Sequence, residues 1–437
     1  MEIRATTEEN FQVFVDTVHS AFARLPEAPV DGGGLWWSAL EPERCLLAFT
    51  PKGKAVGTAG SYPFELTLPG ERIAPAAGVT AVGVLPTHRR RGVLSAIMRH
   101  QLTDLRERGE FLSVLLASEA GIYGRFGYGT ATYEAELTVR RHENAFAPPR
   151  AGGTDPNRGS IELLPSAECL PILEDVYDRY RRQQPGALSR PHRWWSLRAG
   201  QPPIAPQPRL IALHRDADGL ADGYASYARG EGSSLKVDEI VAPSDQVFTT
   251  LARYLLDHDL FTSMVFRHVP PEHPLRWQLA DLRAGRVGKV TDWLWVRLLD
   301  IPRALTARGW FDDGELVLDV HDPFLEKQGR YRLHVRDGKA ECEPPTSHPT
   351  SPSTCATWAP STWAAPPRAR LSGPATSRAT PTMLPPGPTS SSAATVCRTA
   401  CTGSDPSRGW RLELVLEMKS GVFGESSGTR VPTAGHV

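Results

Sequence analysis

The spacing of apolar residues changes from strand-like to helical within residues 79–102. Val79, Ala81 and Val84 suit a buried strand, and Pro86 ends it because proline cannot donate to a β ladder. Apolar residues then recur at helical spacing, at Val93, Leu94, Ile97, Met98 and Leu102. This stretch therefore predicts a strand, a short connection and an amphipathic helix.

A basic loop joins this strand to this helix. Its residues 89–92 are three arginines followed by Gly92. Free backbone N–H groups and the positive end of the helix dipole meet at such a position, which favours an anion, and glycine lets the backbone approach a ligand. Basic residues in a first turn oppose the dipole, so a bound diphosphate explains them well. The alternative is a helix whose first arginines are merely solvated.

The same patterns divide the chain into three units and a tail. In the first unit, residues 1–145, Thr6 and Glu9 predict a capping box before a helix over 11–22. Strand-like segments of this unit are residues 2–4, 45–50, 55–62, 64–68, 79–84, 111–117 and 133–140. The second unit, residues 155–298, predicts helices over 166–182 and from Ser244. Its predicted strands are residues 210–214, 223–227, 236–242, 261–268 and 293–298.

Residues 236–255 of the second unit repeat the strand–turn–helix layout of the first. Their turn, 242–245, contains neither glycine nor arginine. We interpret the second unit as a degenerate copy that has lost its anion loop and serves structure; two working sites are the alternative.

A third unit starts at residue 299 and changes character after Glu343. Residues 315–319 and 329–335 alternate like paired strands, and Asp337 with Gly338 predicts a tight turn between strands. From residue 344 to the end, a low-complexity tail is rich in Pro, Ala, Ser, Thr and Arg, and holds no regular period over its first part. We hypothesise that the reading frame shifts near residues 342–345, which sequencing the gene would test.

The composition of the chain indicates which classes of binding partner are favoured. Acidic and basic residues balance over the 437 residues, at 49 each, so no excess charge favours nucleic acid or an anionic membrane. No apolar run approaches the roughly 20 residues that span a bilayer, and the polar N-terminus does not resemble a secretory signal. Six cysteines without regular spacing indicate neither a disulfide scaffold nor a metal site, and Cys45 and Cys169 suit a core. We expect a cytoplasmic, reduced protein without a metal.

Two motifs carry a resemblance to a known family. The strand, basic loop and helix resemble motif A of the GNAT N-acetyltransferases, whose loop holds the pyrophosphate of acetyl-CoA. Arg89 and Gly92 fill two positions of that family's [Q/R]-x-x-G-x-[G/A] pattern, and Leu94 replaces the small third residue. Residues 117–129, ASEAGIYGRFGYG, form the second motif. With the three-part layout, both are similar to the Eis family of actinobacterial acetyltransferases, in which Leu94 is typical. The resemblance covers residues 1–343.

This resemblance implies an α/β (α+β) protein with tandem GNAT-like folds around mixed central sheets. An SCP2-like α+β domain that is incomplete follows them. The implied activity is an acetyl-CoA-dependent N-acetyltransferase acting on a primary amine: a polyamine, an aminoglycoside-like amine or a lysine side chain. The implied assembly is a homohexamer. A catalytically impaired acyl-CoA-binding protein is the alternative, and a lipid carrier is a third reading that comes from the last unit.

The resemblance also implies the residues that hold acetyl-CoA and donate a proton. The cofactor contacts would be Val82, Gly83, Val84, Arg90, Arg91, Gly92, Val93, Leu94, Ser95, Ser118 and Glu119. Tyr123 corresponds to the family's general acid, and a phenol with a pKa of about 10 suits protonation of the departing CoA thiolate. From the residues alone, Tyr123 and Tyr128 are equal candidates, and each could instead be an aromatic core residue.

The base and the acceptor pocket are the remaining implied parts. The family's base is the C-terminal carboxylate, here that of Val437. The ending GTRVPTAGHV lacks the aromatic and acidic residues with which the family ends, so the base stays open. Trp36 and Trp37 would wall the amine pocket, with a core position as the alternative. Arg24 stands where the family has an acidic pocket residue.

Overall fold

Three β-sheets organise the part of the chain that the structure describes. The structure is a computed structural model, and it describes residues 1–23, 39–147, 159–164, 166–195 and 209–344. Two of the sheets have seven strands and the third has three. Among the described residues, no helix is both long and apolar enough to cross a bilayer.

The first sheet is built mainly from the first unit. The strands of that unit are β1 (Glu2–Ala5), β2 (Cys45–Phe49), β3 (Ala55–Leu68), β4 (Arg72–Val84), β5 (Leu112–Leu115), β6 (Gly129–Thr130) and β7 (Tyr133–Arg140). Of these, β7 joins the second sheet. Its helices are α1 (Phe11–Ala21) and α2 (Val93–Glu107). The apolar stripe of α2 is buried as its spacing predicts. The helix packs so closely on β3 that a Cβ on Gly57 would lie 2.6 Å from Cδ1 of Ile97.

The second sheet follows the same plan in the second unit. The elements of this unit are β8 (Ser160–Leu164), α3 (Ser166–Arg181), β9 (Leu210–Arg215), β10 (Ala221–Arg229), β11 (Ser234–Val241), α4 (Asp245–Leu256), β12 (Ser263–Val269), α5 (Leu275–Gln278), β13 (Arg286–Asp292) and β14 (Trp295–Leu298). Of these strands, β14 joins the first sheet. The pattern did not predict β13, because the strand is largely exposed and lacks an apolar alternation.

The two large sheets exchange a strand. The first sheet has the order β1-β2-β3-β4-β5-β14-β6, and the second has the order β13-β7-β12-β11-β10-β9-β8. Strand β14 pairs antiparallel with β5, with Trp295 opposite Leu115. Strand β7 pairs antiparallel with β12, with Val139 opposite Met264. The boundary at residue 145 therefore divides the sequence without dividing the sheets, and the two units form their cores together.

The third sheet lies in the third unit. After α6 (Ile301–Ala307) it consists of β15 (Gly314–Asp322), β16 (Lys327–Arg336) and β17 (Lys339–Glu343), in that order. Asp337 and Gly338 both adopt a positive φ, at 50° and 73°, as a tight hairpin turn requires. Leu305 of α6 packs with Leu318 and Leu333 of the sheet.

Two local predictions are wrong. The capping box involves Thr7 rather than Thr6: the N–H of Thr7 donates to Oδ1 of Asn10 at 2.9 Å, while the hydroxyl of Thr6 donates to the carbonyl of Pro42. The separate strands at 55–62 and 64–68 are one strand, β3, which continues through Pro63. β2 pairs with β3 only as far as Gly60, and a residue without an N–H is tolerated where β2 no longer pairs.

Candidate active site

The basic loop before α2 has a backbone that exposes its N–H groups. Arg90 and Gly92 lie in the left-handed region, with φ of 59° and 77°. Gly92 is the N-cap of α2, and no side chain caps the helix there. The first N–H groups of a helix have no partner within it, so those of Val93 and Leu94 are available to a ligand. A Cβ on Gly92 would meet no atom of the described residues within 4 Å.

The side chains of the loop supply positive charge. Arg90 and Arg91 are exposed, and neither pairs with a carboxylate within the described ranges. Arg108, just past the other end of α2, pairs instead with Asp104 at 2.7 Å. The charge at the start of α2 therefore stays uncompensated, and together with the helix dipole it favours an anionic ligand.

Arg89 has a different role from its neighbours. Its Nη2 donates to the carbonyl of Ala21 at 3.2 Å, and its Nε lies 3.4 Å from the carbonyl of Val84. Ala21 is the last residue of α1, where a positive charge is favourable. The arginine of the R-x-x-G pattern therefore ties the loop to α1 and to β4, which the sequence pattern did not predict.

The strands β4 and β5 separate beside this loop. They pair in parallel for only two residue pairs, Ala77–Ser113 and Gly78–Val114. β4 then continues to Val84, whereas β5 ends at Leu115. The main-chain groups along this stretch of β4 consequently have no partner in β5. The predicted contacts Val82, Gly83 and Val84 all lie on this stretch, next to the start of α2.

A bulge shapes the same stretch of β4. The register with β3 shifts between Thr58, which pairs with Gly83, and Gly60, which pairs with Thr80. Ala81 has a φ of 51°, and the Thr58 hydroxyl donates to its carbonyl at 2.8 Å. Bulges bend a strand and redirect its side chains and main chain. The bond from Thr58 satisfies the carbonyl that the bulge removes from the ladder.

Tyr123 lies beside this opening. It is 7% exposed and belongs to a buried cluster with Val79 of β4 and Met98 of α2. The predicted contacts Val82 and Leu94 pack against the same cluster. Tyr123 immediately precedes the 3-10 turn Gly124–Phe126, so a short turn holds the phenol next to the predicted cofactor contacts.

Tyr128, the other candidate proton donor in the sequence, lies in the core of the fold. Its side chain is fully buried, and its hydroxyl is hydrogen-bonded to the Ser113 hydroxyl at 2.8 Å. Burial raises the pKa of Tyr128 well above its ordinary value. A phenol without solvent contact, already bonded to the neighbouring strand, is poorly suited to protonate a leaving group. This observation favours Tyr123.

The remaining predicted contacts divide into two groups. Ser95 is exposed in the first turn of α2, and Val93 is buried beneath that turn. Ser118 and Glu119 are exposed in the connection between β5 and the Tyr123 turn. Trp36, Trp37, Arg24, Val437 and the tail from residue 345 lie outside the described residues.

The second unit has a similar frame and a different helix start. A Cβ on Gly223 of β10 would lie 2.6 Å from Cγ1 of Val247, as Gly57 lies against α2 in the first unit. At the start of α4, however, the Ser244 side chain accepts a hydrogen bond from the N–H of Val247 at 3.3 Å. Asp245 adds a negative charge in the first turn. This helix end is already capped by its own chain.

The cysteines of the described residues are buried. They are Cys45, Cys169 and Cys342, and burial raises the pKa of Cys45 to about 12. A thiol with a raised pKa carries little thiolate at neutral pH. No group of three or more metal-ligating side chains occurs in the described ranges.

The fold and the site define a class of protein, and comparisons with known proteins agree. Sequence models of the acetyltransferase (GNAT) domain match residues 2–131 and 186–298, and a model of the sterol carrier protein domain matches residues 301–365. The first match ends just before β7, the strand that leaves for the second sheet. The chain is therefore a tandem GNAT-type N-acetyltransferase with an SCP2-like third domain, as its motifs predict.

Individual relatives define the family. An uncharacterized N-acetyltransferase of Streptomyces avermitilis is 35% identical over 79% of this chain and 85% of its own length. N-acetyltransferase Eis of Mycobacterium tuberculosis is 37% identical over 67% of this chain and 72% of its own length. The crystal structure of Eis1 from Mycobacterium abscessus has a TM-score of 0.67 and 33% identity, over 80% of this chain and 86% of that one. The chain belongs to the Eis family of N-acetyltransferases.

Proposed function

We propose that this enzyme transfers the acetyl group of acetyl-CoA to a primary amine. The observation that carries the proposal is the start of α2, where Gly92, Arg90 and Arg91 present free N–H groups and unpaired charge. A diphosphate is bound well by such a helix end. The adjacent free edge of β4, at Val82–Val84, supports contacts with the amide groups of an extended pantetheine arm.

The predicted residues fit the acyl donor by their chemistry. Main-chain N–H groups of Gly92 to Ser95 and the two guanidinium groups would hold the diphosphate. Ser118 and Glu119, which are exposed on the next connection, would complete the contact. When bound, the donor supplies an acetyl group activated as a thioester. Holding that group beside an amine supplies much of the rate enhancement through proximity.

Tyr123 is the proton donor in this proposal. As the amide bond forms, the sulfur leaves with a proton that the Tyr123 phenol provides, and the amine gives up a proton to a base. The position of Tyr123 in the cluster that contacts Val82 and Leu94 supports this role. The base stays open. The C-terminal carboxylate of Val437, which the family resemblance implies, remains a proposal, as do Trp36 and Trp37 as walls of the amine pocket.

A thiol-release assay tests the proposal. Purified full-length chain is mixed with acetyl-CoA and a polyamine, an aminoglycoside or a lysine peptide, and free CoA thiol is measured. We expect release with at least one amine. In the double variant Arg90→Ala, Arg91→Ala, the KM for acetyl-CoA should rise about 10-fold or more, because charge-assisted hydrogen bonds are lost. Arg229→Ala, which removes an exposed arginine of β10, is the matched control.

Two other results would point elsewhere. Calorimetric binding of acetyl-CoA without thiol release for any amine would identify a catalytically impaired acyl-CoA-binding protein. Absence of binding would contradict both functions. We further propose that the second unit serves structure, that the enzyme is a cytoplasmic homohexamer and that it has no nucleic-acid partner; light scattering tests the assembly.

A further inference from the structure

A loop of the third unit packs against the turn that carries Tyr123. The loop joins β15 to β16 and is called here the 322–326 loop, after its residues. It lies far along the chain from Tyr123, yet Phe324 belongs to the same buried cluster as Tyr123. The third unit therefore contributes a side chain to the core of the candidate active site.

Phe324 bridges the Tyr123 turn and α2. Its ring centroid lies 4.9 Å from that of Phe126, in an edge-to-face arrangement, and Phe126 in turn lies 6.2 Å from Tyr123. On the other side, the guanidinium of Arg99 stacks 4.8 Å from the Phe324 ring and donates to the Phe324 carbonyl at 2.5 Å. Arg99 belongs to α2, the helix whose start forms the candidate anion site.

A partly buried ion pair between Asp322 and Arg297 anchors the loop. Oδ1 of Asp322 accepts from the N–H groups of Phe324 and Leu325, at 3.2 and 3.1 Å. Its other oxygen pairs with Nη2 of Arg297, a residue of β14 that is 4% exposed. Nη1 of Arg297 donates to the carbonyl of Gly127 at 3.2 Å. A Cβ on Gly127 would lie 2.0 Å from that nitrogen, so the guanidinium occupies the space beside the turn.

We propose that the 322–326 loop is a positioning element for Tyr123, with Phe324 and Asp322 as its positioning residues. The inference rests on the proposed role of Tyr123 as the proton donor. A general acid acts only within hydrogen-bonding reach of the atom it protonates, and a displacement of about 1 Å costs about 100-fold in rate. The third unit then belongs to the acetyltransferase site, and the acetyltransferase fold alone lacks one wall of the Tyr123 cluster.

A double-mutant cycle in the full chain tests this proposal. Phe324→Ala should lower kcat for thiol release about 10- to 100-fold while the KM for acetyl-CoA changes less than about 3-fold. In a Tyr123→Phe background, the same replacement should lower kcat less than about 3-fold, because no acid remains to be displaced. A merely structural role would give the same factor in both backgrounds.

Two further variants keep the test decisive. Phe311→Ala removes an exposed phenylalanine of the third unit, which is 66% exposed, and should leave both parameters unchanged. Phe324→Leu keeps most of the apolar volume; should Phe324→Ala not fold, it carries the same comparison with a smaller loss.

The possible failures are distinguishable. The positioning role is wrong, and the proposed function stands, if Tyr123→Phe is slow and Phe324→Ala lowers kcat by the same factor in both backgrounds. The same conclusion follows if Phe324→Ala leaves kcat unchanged. If Tyr123→Phe itself is as fast as the parent enzyme, Tyr123 is not the acid, and the positioning role is overturned with it.

Discussion

The first and second units share a frame and differ where an anion would bind. Each packs a helix on a glycine of a central strand, Gly57 under α2 and Gly223 under α4. The first unit then starts its helix with Gly92 and with two exposed arginines that pair with no carboxylate in the part of the chain that the structure describes. The second starts its helix with Ser244, whose side chain caps it, and with Asp245. A few residues at one helix end therefore separate a candidate binding site from a helix end that its own chain caps.

The two units differ less in the pairing of their central strands than in the start of the helix that follows. β4 pairs with β5 at two positions, and β11 pairs with β12 at four, before each pair separates. In the second unit, Glu239 of β11 forms a partly buried ion pair with Arg190, whose guanidinium stacks 3.5 Å from the ring of Tyr177. Side chains of the second unit therefore lie beside this part of β11. The comparison predicts that the divergent strand pair of the first unit binds a ligand because the helix end beside it carries no side-chain cap.

The strongest test of the comparison is the proposed acid of the first unit. Tyr123→Phe should slow thiol release about 100- to 1,000-fold, the usual contribution of a general acid, with acetyl-CoA affinity unchanged. Tyr128→Phe is the matched control, because it removes only the hydrogen bond to Ser113. We expect it to cost about 1 kcal/mol of stability and to change kcat less than about 3-fold. Steady-state kinetics and thermal unfolding measure both, and a Tyr123→Phe enzyme of normal rate would contradict the assignment.

We expect pH to change the free energy of unfolding through His273 of the second unit. His273 is 8% exposed, and burial lowers its pKa from 6.5 to about 4. As the pH falls through 6.5, the unfolded chain binds this proton before the folded chain does. The stabilising contribution of neutral His273 is therefore complete above pH 6.5 and is lost as the pH falls to 4, by about 3 kcal/mol at most.

Urea unfolding at several pH values measures this effect. His273→Gln should lose less stability than the parent chain between pH 7 and pH 4, with acetyl-CoA affinity unchanged at pH 7. Parallel pH profiles for the two proteins would show that His273 is not responsible.

Two glycines with similar backbone angles allow the effect of backbone strain on stability to be separated from an effect on acetyl-CoA binding. Gly92 and Gly109 both have a positive φ, 77° and 84°, and a Cβ on either would meet nothing within 4 Å. Each replacement by alanine should cost about 1 kcal/mol of stability. Gly92→Ala should also raise the KM for acetyl-CoA about 10-fold, because the strain shifts the first N–H groups of α2. An equal KM in the two variants would remove this loop from donor binding.

The smallest expected effect concerns the cap of the second unit. Ser244→Ala removes the side-chain acceptor for the N–H of Val247 and should cost about 1 kcal/mol of stability, with no change in kcat or KM. Ser95→Ala, an exposed serine in the first turn of α2, should leave the melting temperature unchanged. A change in acetyl-CoA affinity on Ser244→Ala would mean that the second unit takes part in binding.

Local pattern predicted most elements, and the limits of each prediction follow from its range. The helix α2 and the basic loop before it come from the spacing of neighbouring residues, as does β7, predicted at residues 133–140 and found at Tyr133–Arg140. The position of β7 in the second sheet did not follow from that spacing, since a strand's partners lie far away in sequence. β13 escaped prediction because its exposed residues carry no alternation.

The candidate site shows the same division. Residues 89–92 predict an anion site by their type and position. The second motif contains both candidate proton donors, Tyr123 and Tyr128. Only the packed structure shows that Arg89 donates to the end of α1, that Tyr128 is bonded to Ser113 and that Phe324 packs against the turn.

The amino-acid sequence by itself determined the family, the basic loop at the start of α2 and the alternation of strands and helices, because these depend on residues within a few turns of one another. The tertiary structure alone decided which sheet each exchanged strand joins, that Tyr128 is bonded to Ser113 and that Phe324 of the third unit packs against the Tyr123 turn. Those outcomes depend on contacts between residues up to 225 positions apart, as between Arg99 and Phe324, and such contacts form only when the whole chain buries its apolar surface.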